Sequence, residues 1–286
     1  MFCAKLSIIA YILIVSFIYY DTEATCLNPF FNKHALSPIN IDSSKVIQSN
    51  LTTPLILFNA LFDIVNFTNT GKTLDAYSDQ LLDPSFITGG ILCDKKYKIH
   101  TIRFYINPRG KGRSGNTVDG QGAPLEMTVI YYNILYGSME NALRFPDGIT
   151  VLGFPVKVNL VPNLGFLPLQ FILSTGVMKK PGSSIPIPGL FTYVWFDNLL
   201  ISPVYKYYAY TGTYYDPETG KQTPSANYLF ISPDQALSLS YKQFAVFKKV
   251  LGLNGKPLNS VPPIYPHGST KVYELTTLIQ VLLPVV

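Results

Sequence analysis

Residues 102–133 read IRFYINPRGKGRSGNTVDGQGAPLEMTVIYYN, and this stretch decides the fold of the chain. Residues 102–106 and 126–132 are rich in β-branched and aromatic side chains, which favour strands, and a polar, glycine-rich connection joins them. Side chains two apart in a strand share a face, so Arg103 and Tyr105 point the same way, as do Glu126 and Thr128. If the two strands are neighbours, these four side chains form one polar cluster on a sheet.

The composition indicates one large β-rich domain. The chain has 286 residues, of which 48% are hydrophobic and 22 are prolines, enough for a sizeable core and many turns. No internal repeat, low-complexity segment or linker divides it. We find no nucleophile elbow, phosphate-binding loop or nucleic-acid motif, so we predict no nucleic-acid partner.

The N-terminus has the features of a secretory signal peptide. Lys5 precedes an apolar run over residues 6–20, which is short for a membrane span of about 20 residues. We therefore predict a signal peptide over residues 1–24, a single domain over residues 25–286, and a secreted, extracellular protein without a stable membrane span. An uncleaved signal anchor is the alternative.

Cysteine usage and glycosylation motifs agree with secretion. Cys26 and Cys93 remain after removal of the signal peptide, and a pair in a secreted chain suggests one disulfide. Free thiols or an intermolecular bridge are the alternatives. Asn50-Leu51-Thr52 and Asn66-Phe67-Thr68 match the N-glycosylation motif and predict surface positions.

The central stretch resembles the core of the α-class carbonic anhydrases. In that family the first strand reads H-F-H-W-G and the second E-x-H-x-V-H-x-N, where this chain has RFYIN at 103–107 and EMTVIYYN at 126–133. The family's three zinc-binding histidines thus fall on Arg103, Tyr105 and Thr128. The resemblance runs from Ser37, in an S-P-I-N-I motif, to about Tyr273. It implies a mainly β (α+β) fold with a large, twisted, mostly antiparallel central sheet and a few short peripheral helices.

The residues at the zinc positions cannot form the zinc site that the resemblance implies. A catalytic zinc needs three protein ligands, usually imidazole, thiolate or carboxylate, and an open position for water. Arginine is a permanent cation that cannot ligate, and threonine and neutral tyrosine are poor ligands. Without zinc, no group brings a water pKa near neutrality, and hydration of carbon dioxide loses its nucleophile. We therefore predict no zinc and no other cofactor.

Four further positions are interpreted through the resemblance. Lys72 takes the place of the proton-relay histidine, and a charged ammonium cannot shuttle protons. Tyr215 takes the place of the threonine that aligns zinc hydroxide, and is predicted to fill the active-site cone. Glu126, which orients the third histidine in active members, is retained, whereas a loop glutamate is replaced by Gly115. Because a buried unpaired charge is costly, we expect an ion pair between Arg103 and Glu126, or else an Arg103 turned to solvent.

Other patterns give local expectations. Val151, Leu152 and Ile130 either form the apolar wall that holds carbon dioxide in the family or are core residues. Ser232 or Asp234 is expected to cap a helix running to about Lys249. The apolar tail over residues 275–286 is a last strand or inserts into a partner. The three histidines, His34, His100 and His267, show no metal-binding spacing.

Basic residues collect around the predicted site, and they suggest a binding function. This basic rim is made mainly by Arg109, Lys111 and Arg113, with Lys72, Lys95, Lys96, Lys98 and Arg103 nearby in sequence. Such a rim would bind an anionic glycan or an acidic protein surface, although it can also be an ordinary solvated face. The leading hypothesis is a secreted, non-catalytic carbonic anhydrase-related binding protein. There are two alternatives. One is a divergent carbonic anhydrase (a carbonate dehydratase, which is a zinc lyase) with residual activity and unusual zinc ligands. The other is a structural or matrix component.

Overall fold

A computed structural model describes residues 36–51, 53–58, 64–78, 85–188, 204–217 and 220–282. The predicted signal peptide, Cys26, His34 and Thr52 lie outside the described residues.

Strands are the main regular secondary structure of the described residues. In chain order they are β1 (Ile39–Ile41), β2 (Ile47–Gln48), β3 (Leu55–Phe58), β4 (Ile64–Asn69), β5 (Leu74–Ser78), β6 (Phe86–Gly89), β7 (Tyr97–Ile106), β8 (Thr117–Val118), β9 (Leu125–Asn133), β10 (Ile149–Asn159), β11 (Ser184–Pro188), β12 (Val204–Gly212), β13 (Ala226–Ile231), β14 (Leu237–Ser240), β15 (Tyr265–Pro266) and β16 (Tyr273–Leu282). Three short helices accompany them: α1 (Met139–Ala142), α2 (Leu167–Ser174) and α3 (Tyr241–Phe247).

One large sheet dominates the fold. It contains 13 strands, most of them paired antiparallel, while β15, β1 and β8 form a small separate sheet. The predicted fold class is therefore confirmed. None of the helices among the described residues has the length and apolar character needed to cross a bilayer.

The two strands predicted from residues 102–133 are neighbours, as the polar-cluster hypothesis requires. Strand β7 pairs antiparallel with β9, and the register places Arg103 opposite Thr128 and Tyr105 opposite Glu126. On its other edge, β7 pairs with β6 and then with β5. Strand β10 flanks β9, so the cluster lies in the middle of the sheet.

Apolar side chains from this central region fill the protein interior. Phe104, Met127 and Phe154 are fully buried in the main core, on the opposite face of their strands from Arg103 and Thr128. Burial of such side chains drives the folding of the sheet and holds the polar cluster in place.

Two expectations about the last third of the chain have different outcomes. The helix expected after Ser232 or Asp234 begins later: a 3-10 turn (Pro233–Gln235) and β14 come first, and Ser240 caps α3 in a capping box with Gln243. That helix prediction was wrong because parallel pairing with β10 extends residues 237–240 as a strand. The described part of the apolar tail, residues 275–282, does form a last strand, since β16 pairs with β12 and β3.

Candidate functional site

The polar cluster forms part of the wall of a cavity of about 500 Å³. Tyr105, Glu126 and Thr128 all line it, whereas Arg103 lies behind the wall with 2% of its surface exposed. Further lining residues include Lys72, Val151, Tyr214, Tyr215, Tyr228 and Tyr265. Of the three side chains considered for an apolar wall, Val151 lines the cavity, while Ile130 and Leu152 are buried in the two apolar cores.

Arg103 is paired with Asp75, a residue that the sequence analysis did not single out. Its Nε donates to both carboxylate oxygens of Asp75, at 3.1 and 3.0 Å, and its Nη2 donates to Oδ2 at 2.7 Å. Asp75 is fully buried and lies opposite Arg103 across the β5–β7 pair. This bidentate geometry is the strong form of an arginine–carboxylate contact.

A fourth hydrogen bond fixes the guanidinium from the cavity side. Nη1 of Arg103 donates to the hydroxyl oxygen of Tyr214 at 3.2 Å. Burial alone would lower the pKa of Arg103, but Tyr214 and Asp75 together raise it well above its ordinary value. Arg103 is therefore a fixed cation whose charge is balanced inside the wall.

The expected ion pair between Arg103 and Glu126 was wrong, as was an Arg103 turned to solvent. Glu126 is 5% exposed, and the ion pairs among the described residues do not include it. Its Oε2 accepts from the backbone N–H of Asn116 at 3.0 Å, and its Oε1 accepts from Oγ1 of Thr128 at 3.3 Å. Desolvation raises the pKa of Glu126 to about 7, and these two hydrogen bonds offset it only in part.

Gly115 explains how the Glu126 carboxyl group fits into the wall. A Cβ atom at position 115 would lie 2.1 Å from Oε2 of Glu126, which is closer than any contact allows. The absence of a side chain at position 115 therefore creates the space that the carboxyl group occupies. Gly115 and Glu126 thus belong to one local arrangement.

The two neighbouring tyrosines differ from expectation. Tyr215, expected to fill the cone, lines the cavity but is 59% exposed. Tyr214 is buried in the cavity wall, and its hydroxyl oxygen accepts the hydrogen bond from Arg103. The buried tyrosine is therefore one position earlier in the sequence than predicted. Burial raises the pKa of Tyr214 and of Tyr105, so both hydroxyls stay protonated at neutral pH.

The three residues at the zinc positions do not fit a zinc ion. Arg103 brings a positive charge that Asp75 already binds, Tyr105 keeps its proton, and the Thr128 hydroxyl donates to Glu126. Imidazole, thiolate and carboxylate are the usual ligands, and the set offers none of these. Within the described ranges, no three His, Cys, Asp or Glu side chains are grouped so that they could hold a metal.

The described histidines have structural contacts. His267 Nδ1 accepts from the backbone N–H of Asp42 at 2.9 Å, and its Nε2 lies 2.8 Å from the carbonyl oxygen of Thr270. His100 lies between the rings of Tyr77 and Tyr132, and burial lowers its pKa. Neither residue lines the cavity.

Most of the basic residues do not surround the cavity, so the predicted basic rim is wrong as a cavity rim. Lys72 is exposed and lines the opening. Arg109 and Lys111 are exposed on the loop after β7, and Nη1 of Arg113 donates to the carbonyl oxygen of Pro262 at 2.9 Å. The same loop approaches α3, since a Cβ at Gly110 would lie 3.0 Å from the Phe244 ring.

The predicted modification sites are placed as follows. Asn50 is exposed, and Asn66 is partly buried on β4, between β5 and β11. The proposed Cys26–Cys93 pairing involves a residue outside the described part of the chain, so it stays a prediction, as does glycosylation at both asparagines.

Comparison with known proteins gives a family match and low-identity relatives. Residues 25–262 match the profile described as eukaryotic-type carbonic anhydrase. Carbonic anhydrase 7 from mouse and from human are each 30% identical to this chain over 128 residues, which cover 44% of this chain and 48% of each relative. Mouse carbonic anhydrase 15 is 26% identical over 250 residues, covering 82% of this chain and 74% of that protein. The matched part therefore spans about half the length of carbonic anhydrase 7.

Proposed function

Because this chain belongs to the eukaryotic-type carbonic anhydrase family, we propose that it is a non-catalytic member that acts as an extracellular binding protein. The buried Arg103–Asp75 pair carries this proposal. Arg103 occupies the position that resembles the first zinc histidine, and four hydrogen bonds hold its guanidinium in place. A metal at that position would require breaking a buried ion pair, which costs about 3–5 kcal/mol when one partner is lost.

The cavity itself supports a binding role. Its volume of about 500 Å³ is within the range of small-molecule sites. Five tyrosines line the cavity, and two charged side chains there, the buried Glu126 carboxyl group and the exposed Lys72, are absent from the ion pairs of the described residues. Because Lys72 is exposed, water screens its charge far more than that of Glu126. Ring faces and an unpaired carboxylate both attract positive charge, so the cavity suits a ligand with an ammonium group better than an anion.

An extracellular location is the second part of the proposal. It rests on the apolar run over residues 6–20, the glycosylation motifs at Asn50 and Asn66, and the proposed disulfide between Cys26 and Cys93. Expression in a eukaryotic secretory system should deliver the chain to the medium in a form that glycosidase treatment makes smaller. Retention of all of the protein inside the cell would contradict this part.

Zinc content and hydration activity test the loss of catalysis. We expect protein dialysed against zinc to hold much less than one zinc per chain, and carbon dioxide hydration in a stopped-flow assay to stay at the uncatalysed rate. One zinc per chain with measurable turnover would overturn the proposal and favour the divergent carbonic anhydrase.

The matched positive control restores the family's ligand set. The triple variant Arg103→His, Tyr105→His, Thr128→His should gain zinc in the same assay, because it offers three imidazoles in register on β7 and β9. Its turnover should remain low, because Tyr214 still occupies the cavity wall. In addition, Lys72 stands where the relay histidine is expected, and a charged ammonium cannot shuttle protons. Robust hydration by this variant would mean that the cavity is still competent for catalysis.

Ligand preference tests the binding role. In ligand-observed NMR, a small quaternary ammonium probe should bind the wild-type protein more tightly than a carboxylate probe of equal size. Glu126→Gln should remove that preference, because the amide keeps the shape and loses the charge. Equal binding of both probes, or binding that is unaffected by Glu126→Gln, would contradict this assignment.

A further inference from the structure

Six large apolar side chains are exposed within one 18-residue segment, residues 160–177, between β10 and the turn after α2. Leu160 is 84% exposed, Phe171 70% and Leu164 65%. Folded proteins expose single apolar side chains routinely, but a contiguous group of large ones marks an interaction surface. The members of this group, which we call the apolar ridge, are Leu160, Val161, Leu164, Leu167, Phe171 and Val177.

The ridge is held against α3. Parallel pairing of β10 with β14 places Asn159 beside Ser240. The ridge follows Asn159 and α3 follows Ser240, so both begin at the same end of this strand pair. The backbone N–H of Asn163 donates to Oε1 of Gln243 at 2.9 Å, and Nε2 of Gln243 donates back to the carbonyl oxygen of Asn163 at 2.7 Å. Helices α2 and α3 also pack against each other. The ridge is therefore a fixed part of the fold.

The segments that form the ridge and α3 contain exposed lysines and lack carboxylates. Residues 157–188 and 241–256 contain no Asp or Glu. Across the chain as a whole, 22 basic residues are accompanied by 17 acidic ones, so these segments are far more positive than the average. Seven exposed lysines lie in these segments: Lys157, Lys179, Lys180, Lys242, Lys248, Lys249 and Lys256.

The loop after β7 extends this positive surface. A Cβ at Gly110 would lie 3.0 Å from the Phe244 ring and 3.8 Å from Nζ of Lys248. The exposed Arg109 and Lys111 flank that glycine. The basic residues predicted to surround the cavity thus adjoin α3 and its lysines instead.

We propose that the apolar ridge and its lysines form a docking surface for a membrane with anionic lipid headgroups. The apolar side chains would enter the interfacial region of the bilayer, while the lysines would bind lipid phosphates and carboxylates. Charge complementarity favours an anionic surface, and the protruding leucines and phenylalanine favour a lipid interface over a glycan chain, which has no apolar phase to receive them. None of the ridge residues lines the cavity, so the inference does not depend on what the cavity binds.

Vesicle co-sedimentation of the full-length secreted protein tests the proposal. We expect binding to vesicles containing about 30% phosphatidylserine, little binding to pure phosphatidylcholine, and weakening with added salt. The double variant Leu164→Gln, Phe171→Gln should bind about a hundredfold more weakly, because two large side chains no longer leave water. Replacing Lys179, Lys180 and Lys242 by Gln should weaken binding about fivefold per lysine.

Matched variants elsewhere on the protein serve as controls. Ile134→Gln, Leu135→Gln removes two exposed apolar side chains, Leu135 being 79% exposed, and should bind like the wild type. Lys45→Gln, Lys221→Gln, Lys271→Gln changes net charge by the same amount as the triple lysine variant and should have a much smaller effect. All variants are at exposed positions, and their unchanged circular dichroism spectra would verify folding.

Two results would overturn the proposal. The first is wild-type affinity for anionic vesicles in the ridge variant Leu164→Gln, Phe171→Gln. The second is binding of both the wild type and this ridge variant to heparin or to an acidic protein, with no binding of either to vesicles. That result would show that the lysines bind an anionic polymer.

Discussion

Two carboxylates flank the same strand of this protein, and their environments are opposite. Asp75 on β5 and Glu126 on β9 both neighbour β7, and both are almost completely buried. Asp75 receives three hydrogen bonds from Arg103, whereas Glu126 receives one from a backbone N–H and one from a hydroxyl. One carboxylate is neutralised, and the other faces the cavity with a pKa of about 7.

Strand register explains this difference. Asp75 is directly opposite Arg103, whereas the β9 residue opposite Arg103 is Thr128, and Glu126 is two positions further along. Two residues along a strand correspond to about 7 Å, enough to decide which acid the guanidinium reaches. The Arg103 cation thus neutralises Asp75 inside the wall without neutralising Glu126, which lines the cavity.

The largest expected effect comes from breaking the neutralised pair. Arg103→Met would leave Asp75 buried without a counter-ion, and we expect a loss of about 3–5 kcal/mol in the free energy of unfolding. Urea denaturation measures this loss. In the double variant Arg103→Met, Asp75→Leu most of it should be recovered, because both charges are absent from the interior. A loss below about 1 kcal/mol in the single variant would mean that water reaches Asp75.

The next effect concerns the unpaired carboxylate and its pH dependence. The pKa of Glu126 rises from 4.5 to about 7 on folding, so the folded state binds the proton more tightly than the unfolded state. Its contribution to stability is therefore most favourable below about pH 4.5, and declines until the pH exceeds about 7. Over this window the wild type should lose about 3 kcal/mol relative to Glu126→Gln, which carries no charge.

Denaturation of both proteins at about pH 5 and about pH 8 measures this difference. Glu126→Gln should be the more stable protein at the higher pH, and the two should approach each other at the lower pH. Any other ionisable group with the same environment in both proteins cancels in the comparison. A difference that does not change with pH would show that the Glu126 carboxylate is already solvated.

The sequence alone predicts the frame of this site better than its contacts. Enrichment in β-branched and aromatic residues identified β7 and β9, and strand periodicity paired Arg103 with Tyr105 and Glu126 with Thr128, because both signals are local. The Asp75 contact depends on a third strand, whose pairing the local pattern does not reveal. The sequence does contain a signal: Asp75 is a lone charge within the run Leu74-Asp75-Ala76-Tyr77, as Arg103 is within the predicted strand at residues 102–106. Two isolated opposite charges in apolar strands predict a buried ion pair.

The smallest expected effect concerns the hydrogen bond between Arg103 and Tyr214. It tests how much this bond contributes to stability beside the Arg103–Asp75 ion pair. Tyr214→Phe removes the acceptor of the Arg103 Nη1 donor, and we expect a loss of about 1.5 kcal/mol, as for a hydrogen bond to a charged group. The adjacent Tyr215→Phe is the matched control, since Tyr215 is largely exposed and should change stability by less than about 0.5 kcal/mol. Equal effects of the two substitutions would mean that Asp75 alone fixes the guanidinium. The Tyr214 ring would then be free to move when a ligand binds. The difference between Asp75 and Glu126 would then rest on the Arg103–Asp75 ion pair alone.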